Sequence, residues 1–178
     1  ASNSPVCSGN SINPTSNTIA ATYNWTGPNG FTSSTEDPTI ANATVGMTGT
    51  YNLYLTALGC TSVTASVPVV VNQTPATPVV ASPRPVCRGN PINLTSNTIA
   101  ATYNWTGPNG FTSSQEDPTI ANATVAMTGT YNLYLTAVGC TSATASVPVT
   151  VNQTPTTPVV ASNSPVCSGN SINPTSNT

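Results

Sequence analysis

Charge is what this sequence has least of. Among 178 residues only Glu36, Asp37, Glu116 and Asp117 are acidic, only Arg84 and Arg88 are basic, and lysine and histidine are absent. An average soluble domain is about 25% charged. Without clusters of Lys and Arg nothing can displace counterions from a phosphate backbone, which excludes nucleic acid as a partner. Without His or Lys there is no ordinary general base near neutrality and no Schiff-base amine, and a Ser or Cys nucleophile has no activating partner. The expectation is a non-enzyme without cofactor. Long apolar runs are missing as well: none approaches the ~20 residues of a membrane-spanning helix. The first residues lack the basic and apolar regions of a signal peptide, so the stretch reads as the interior of a mature chain.

What is present is rich in Val, Thr and Ile, the opposite of a disordered composition. The sequence repeats itself with a period of 80: Ala1–Val80 and Ala81–Val160 differ at 11 positions, and Ala161–Thr178 repeats Ala1–Thr18 without change. Because the third segment matches the first and not the second, the larger unit reads as 160 residues of two alternating repeats. Eighty residues is too long for a helical hairpin or a propeller blade and suits a small domain strung in series. Boundaries fall at Asn72-Gln73-Thr74-Pro75-Ala76-Thr77-Pro78 and again at 152–158, where two prolines in four residues make a short, stiff connector. The expected units are 1–75, 76–155 and an incomplete 156–178, arranged end to end.

Alternation with period two marks the strands. In Tyr51-Asn52-Leu53-Tyr54-Leu55-Thr56 it turns Tyr51, Leu53 and Leu55 inward, and Val63, Ala65, Val67, Val69 and Val71 share one face of a second strand. Pro68 lies inside that strand, a residue without an N–H that is tolerated only at a sheet edge. Tyr23-Asn24-Trp25 reads as a third strand, closed by the turn Gly27-Pro28-Asn29-Gly30. With short strands over Ile12–Ser16 and Thr39–Val45, each repeat holds about seven strands at the spacing of a β-sandwich.

The segments Cys7-Ser8-Gly9-Asn10, Tyr23 to Gly30, Gly49-Thr50-Tyr51-Asn52-Leu53 and Gly59-Cys60-Thr61-Ser62 together resemble the Ig-like and PKD-like repeats of large Bacteroidota surface adhesins. Those proteins are exported by the type IX system and used in adhesion and gliding. The resemblance implies an all-β fold of tandem Ig-like sandwiches. It also implies that Trp25 and Trp105 are core residues and that Tyr51 and Tyr131 sit at a tyrosine corner. In one respect the chain departs from such repeats, which carry more charge.

Five cysteines without His or a short Cys-x-x-Cys spacing point to disulfides and an oxidising compartment. Spacing alone invites Cys7 with Cys60 and Cys87 with Cys140. In an Ig-like sandwich, however, these partners lie at opposite poles, ~25 Å apart, well beyond the ~7 Å Cα limit for a bridge. In a head-to-tail array the poles of successive repeats abut, which favours Cys7 with Cys140 and leaves Cys60, Cys87 and Cys167 to bond repeats outside this stretch. Both pairings stay open at this point.

Other candidate sites read as structural. Glu36 with Asp37, and Glu116 with Asp117, have the oxygen chemistry of calcium ligands, but neighbouring residues of an extended chain point to opposite faces. They are expected to be solvated charges, and no metal site is expected. Trp25 with Tyr54 would make a sugar platform only if Trp25 faced outward. Asn24, Asn42, Asn72, Asn93, Asn104, Asn122 and Asn152 each begin an Asn-x-Ser/Thr sequon, a frequent accident in so polar a chain. A surface of Asn, Thr and Ser lacks the charge repulsion that keeps proteins apart, so lateral association is easy. The expected role is structural: a repeat of an extracellular, cell-surface filament or adhesin stalk, with further copies of the repeat as partners. The alternative is an adhesion module whose pole loops hold a glycan or a protein.

Overall fold

The computed structural model describes residues 1–19, 22–83, 85–99 and 102–177. The described residues are all-β, with no helix beyond four three-residue 3-10 turns. Two five-stranded sheets recur with the same connectivity. In the first, Gly49–Ala57 is the central strand, flanked on one side by Thr22–Gly27 and, outside that, Phe31–Ser33. On its other side lie Cys60–Thr61 and Ala65–Val69. Gly129–Ala137 takes the same place in the second sheet, between Thr102–Thr106 and the pair Cys140–Thr141 and Ala145–Val149.

Alternation along the central strand sets the core. Tyr51 and Leu53 are buried and Leu55 is partly buried, while Tyr131, Leu133 and Leu135 are all fully buried. Two separate apolar clusters result, one built on Trp25, Tyr51, Val69 and Val71 and the other on Trp105, Tyr131, Val149 and Val151. Facing each sheet is a thinner layer of short pairings. It comprises a bridge between Ile12 and Ile40 in the first cluster's layer, and Ile92–Asn93 with Thr119–Ile120 and Val80–Ala81 with Thr95–Ser96 in the second's. A parallel pairing closes each side, Val6–Cys7 on Val71–Asn72 and Val86–Cys87 on Val151–Asn152.

Three sequence expectations are corrected. Ile12–Ser16 is not a continuous strand: Ile12 forms a single bridge with Ile40, Pro14 lacks the N–H that its counterpart Leu94 donates to the Pro118 carbonyl at 3.0 Å, and Thr15 exchanges its two backbone hydrogen bonds with Ala1. Thr39–Val45 is broken by Asn42, whose φ of 54° leaves the extended region, and Val45 opens a 3-10 turn instead. Val63 is 92% exposed and lies outside the strand expected to carry it, which begins at Ala65. The cause is Ser62: its Oγ accepts the Leu55 N–H at 2.9 Å and donates to the Val63 carbonyl at 2.9 Å, so a side chain takes the place of the backbone ladder and the chain leaves the sheet.

Pro68 and Pro148 do lie in strands with one partner, paired opposite Thr50 and Thr130 of the central strands. Edge position makes them tolerable there.

Candidate functional site

The two clusters meet where the end of one sheet edge approaches the hairpin of the other. On the near side the parallel pairing of Val6–Cys7 with Val71–Asn72 holds Cys7 and Asn72 side by side. The far side is the turn Val138–Gly139 between Gly129–Ala137 and Cys140–Thr141. That turn needs left-handed backbone, with φ of 49° at Val138 and 79° at Gly139, and the glycine supplies the second without steric cost. It aims Cys140 at Cys7.

Cys7 and Cys140 are disulfide-bonded, with Cα atoms 5.6 Å apart, well inside the range a bridge requires. One bond therefore uses both residues, and the pairings Cys7 with Cys60 and Cys87 with Cys140 do not occur. Cys60, Cys87 and Cys167 are free and exposed. A hydrogen bond from Asn72 Nδ2 to the Val138 carbonyl at 3.0 Å lies beside the disulfide. Contact at this junction leaves Cys140 only 1% exposed. Its counterpart Cys60 has no such cover.

The remaining candidates are structural in geometry. Trp25 and Trp105 are 3% and 1% exposed, and their Nε1–H groups donate to the Glu36 and Glu116 carbonyls at 3.1 and 3.2 Å. A buried indole cannot stack on a sugar, so the platform with Tyr54 is absent. Asp37 and Asp117 are not merely solvated: each accepts a backbone N–H, from Ser16 and Ser96 respectively, at 2.8 Å. Sequence reasoning missed this role, and an acidic residue 21 positions after a serine is too weak a pattern to have shown it. Tyr51 and Tyr131 donate from Oη to the Met47 and Met127 carbonyls at 3.1 and 3.0 Å, four residues upstream, the tyrosine-corner geometry. Desolvation raises both phenol pKa values above the ordinary 10.0. Among the sequon residues, Asn24 and Asn104 each spend Nδ2 on a neighbouring strand, with Thr56 and Thr136 Oγ1 at 3.3 Å. Asn72 spends its amide on the junction.

No family model matches the chain. No curated protein matches it either. Solved structures do: a chain in the crystal structure of a mouse coronavirus receptor-binding domain complexed with its murine receptor has a TM-score of 0.50 at 16% identity, over 83% of this chain and 95% of that one. Murine CEACAM1b gives 0.45 at 16% identity, over 85% and 98%. The N-terminal four Ig domains of Dscam1 isoform 8.4 give 0.39 at 14% identity, over 83% of this chain and 42% of that one. At such identities the likeness concerns the fold alone: the chain is all-β with Ig-like structural neighbours.

Proposed function

We propose that the chain is a structural element of an extracellular filament or adhesin stalk, built of tandem Ig-like units of 80 residues placed end to end. On this reading the units run 1–75, 76–155 and 156–178, and the role is that of a spacer without catalysis. The observation that carries it is the Cys7–Cys140 bond, which ties the pole of one cluster to the opposite pole of the next. Such a bond suits an oxidising compartment. A bond across a boundary adds rigidity to the arrangement of the two cores, which is what a tether needs and a solitary binding domain does not. Surface composition supports the same reading, since a surface of Asn, Thr and Ser offers little repulsion between neighbours. A bacterial cell surface is part of the same proposal, supported by the resemblance of the repeat segments to those of Bacteroidota surface adhesins.

Small-angle scattering tests it. Strands of up to nine residues at ~3.3 Å rise give units roughly 30 to 40 Å long, so a rod of two to three such lengths is expected. A single compact envelope would refute the proposal, and saturable binding of a glycan or protein at the pole loops would favour the adhesion-module alternative.

A further inference from the structure

We propose that the outer face of each five-stranded sheet carries a binding groove for a neutral saccharide, with Tyr54 and Tyr134 as the stacking surfaces. The groove adds a ligand to the structural role proposed above and does not depend on the units standing in series.

The inward turn of Tyr51 and Leu53 sends Asn52, Tyr54 and Thr56 to the other side of the first sheet. Register then sets their neighbours. Asn24 lies opposite Tyr54, and Thr26 lies between Asn52 on one side and Thr32 on the other. Ser34, two residues beyond Thr32, joins them. A groove of about 440 Å³ results, with Tyr54 on one flank, Thr32 and Ser34 on the other, and Asn24 and Thr26 on the strand between. Trp25 takes no part in recognition, since its indole belongs to the core. In the second sheet Asn104, Thr106, Thr112, Ser114 and Tyr134 surround a groove of the same volume. None of the 11 differences between the repeats falls at a lining position, so both grooves take the same ligand.

No lining residue of either groove is charged, which leaves no counterion for a phosphate, sulfate or carboxylate group. The groups on offer are a half-buried phenol ring, an amide and three hydroxyls on exposed residues. The Asn24 amide is held in place, with Nδ2 3.3 Å from Thr56 Oγ1 and 3.4 Å from the Tyr54 carbonyl oxygen, and its Oδ1 is left to accept from a ligand. Among the described residues, no partner within the chain occupies the hydroxyls of Thr26, Thr32 or Ser34. Each of these is one donor and two acceptor positions. A pyranose with equatorial hydroxyls has the complementary form. Its ring face is a patch of C–H groups, which suits the face of an aromatic ring, and its rim is hydroxyls, which suit an amide and other hydroxyls. A β-linked glucan presents such faces one after another. A protein partner fits less well: the core of a protein interface is rich in aromatic residues, Met and Arg and poor in Ser, whereas the outward side chains here are Thr, Asn and Ser around one tyrosine.

The probe is cellohexaose, a neutral β-linked glucan, titrated into the full chain while backbone amide signals are read by NMR. Two equivalent sites per chain are expected, one for each groove, with shifts centred on Asn24, Thr32 and Tyr54 and on Asn104, Thr112 and Tyr134. Tyr54→Ala should leave one site, Tyr54→Ala with Tyr134→Ala none, and Tyr54→Phe should keep both, since the ring face remains. Thr32→Val keeps the shape and removes one hydroxyl. It should weaken the first site about fivefold, the net worth of one hydrogen bond, without changing the folded spectrum. Absence of binding, binding untouched by the double substitution, shifts confined to the pole loops, or equally tight binding of hexagalacturonate, which carries a carboxylate on every ring, would each overturn the groove. So would concentration-dependent pairing of the chain that the same substitutions abolish with no sugar bound, because the face would then belong to a second copy. A rod that fails to bind removes this proposal and leaves the units in series; a compact chain that binds removes the series and leaves the groove.

Discussion

Tyr51 shows how much one side chain organises. Its ring meets Phe31 edge-on at 5.5 Å between centroids, its hydroxyl closes the bend at Met47, and a methyl group added at Gly27 would lie 2.5 Å from its Cδ1. Gly27 is extended, so it is the ring rather than the backbone angle that requires glycine there. Tyr51→Phe should lower the unfolding free energy of the first cluster, read from a urea titration, by about 1 kcal/mol, the usual net worth of one hydrogen bond. Gly27→Ala should cost more, about 1 to 3 kcal/mol, because the ring has no room to give. The same phenols set the alkaline limit. With a folded pKa raised above the unfolded 10.0, the unfolded state loses its protons first, so stability is intact below pH 10 and falls as pH rises from there through the folded value. A chemical-denaturation series from pH 8 to pH 11 checks this, and replacing both tyrosines by Phe should flatten the decline.

At the scale of elements the chain performs its own substitution experiment. Pro14 and Leu94 occupy one position in two copies, and only the leucine donates to the neighbouring carbonyl. Leu94→Pro should remove that bond and also part of a leucine that is buried in the core, a loss larger than the gain from a stiffer unfolded chain. The expected outcome is destabilisation of the second cluster by about 1 to 3 kcal/mol, with loss of hydrogen-exchange protection around Ile92–Ser96. The central strand was legible in the sequence because alternate burial of Tyr51, Leu53 and Leu55 is a property of the strand itself. Val63 was not, since the alternation continues through it while the serine directly before it ends the ladder. The role of Asp37 was hidden for a different reason: its partner, the Ser16 N–H, is a backbone group with no residue signature. Junction chemistry was half legible. Five regular cysteines announced disulfides and sandwich topology favoured an inter-unit bond, but the amide of Asn72 beside it depends on the turn at Val138.

For the whole molecule the scarcity of charge makes a direct prediction. Coulomb terms are few enough that ionic strength should hardly matter, and sedimentation between about 0.05 and 0.5 M salt should not change, although the Debye length falls severalfold over that range. Reduction should act differently. Cys7→Ser, or a strong reductant, should destabilise both cores by up to about 4 kcal/mol, because the bond and the connector together close a long loop in the unfolded chain, and the distribution of distances between labels on the two clusters should broaden. Pulsed electron resonance on labels placed at Thr32 and Thr112, both exposed strand positions, would read that width.

The two ties between the units lie at different places, one through the connector after Asn72 and one through the bond from Cys7 to Cys140. A body attached at one point swings about every axis; attached at two, it turns freely only about the line that joins them. Bending across that line then has to stretch a covalent bond or open a sheet, whereas bending around it costs little. A filament of the kind proposed, assembled from such joints, would behave less like a rope than like a ribbon, pliant in one direction and resistant in the other, and its persistence length would have two values rather than one.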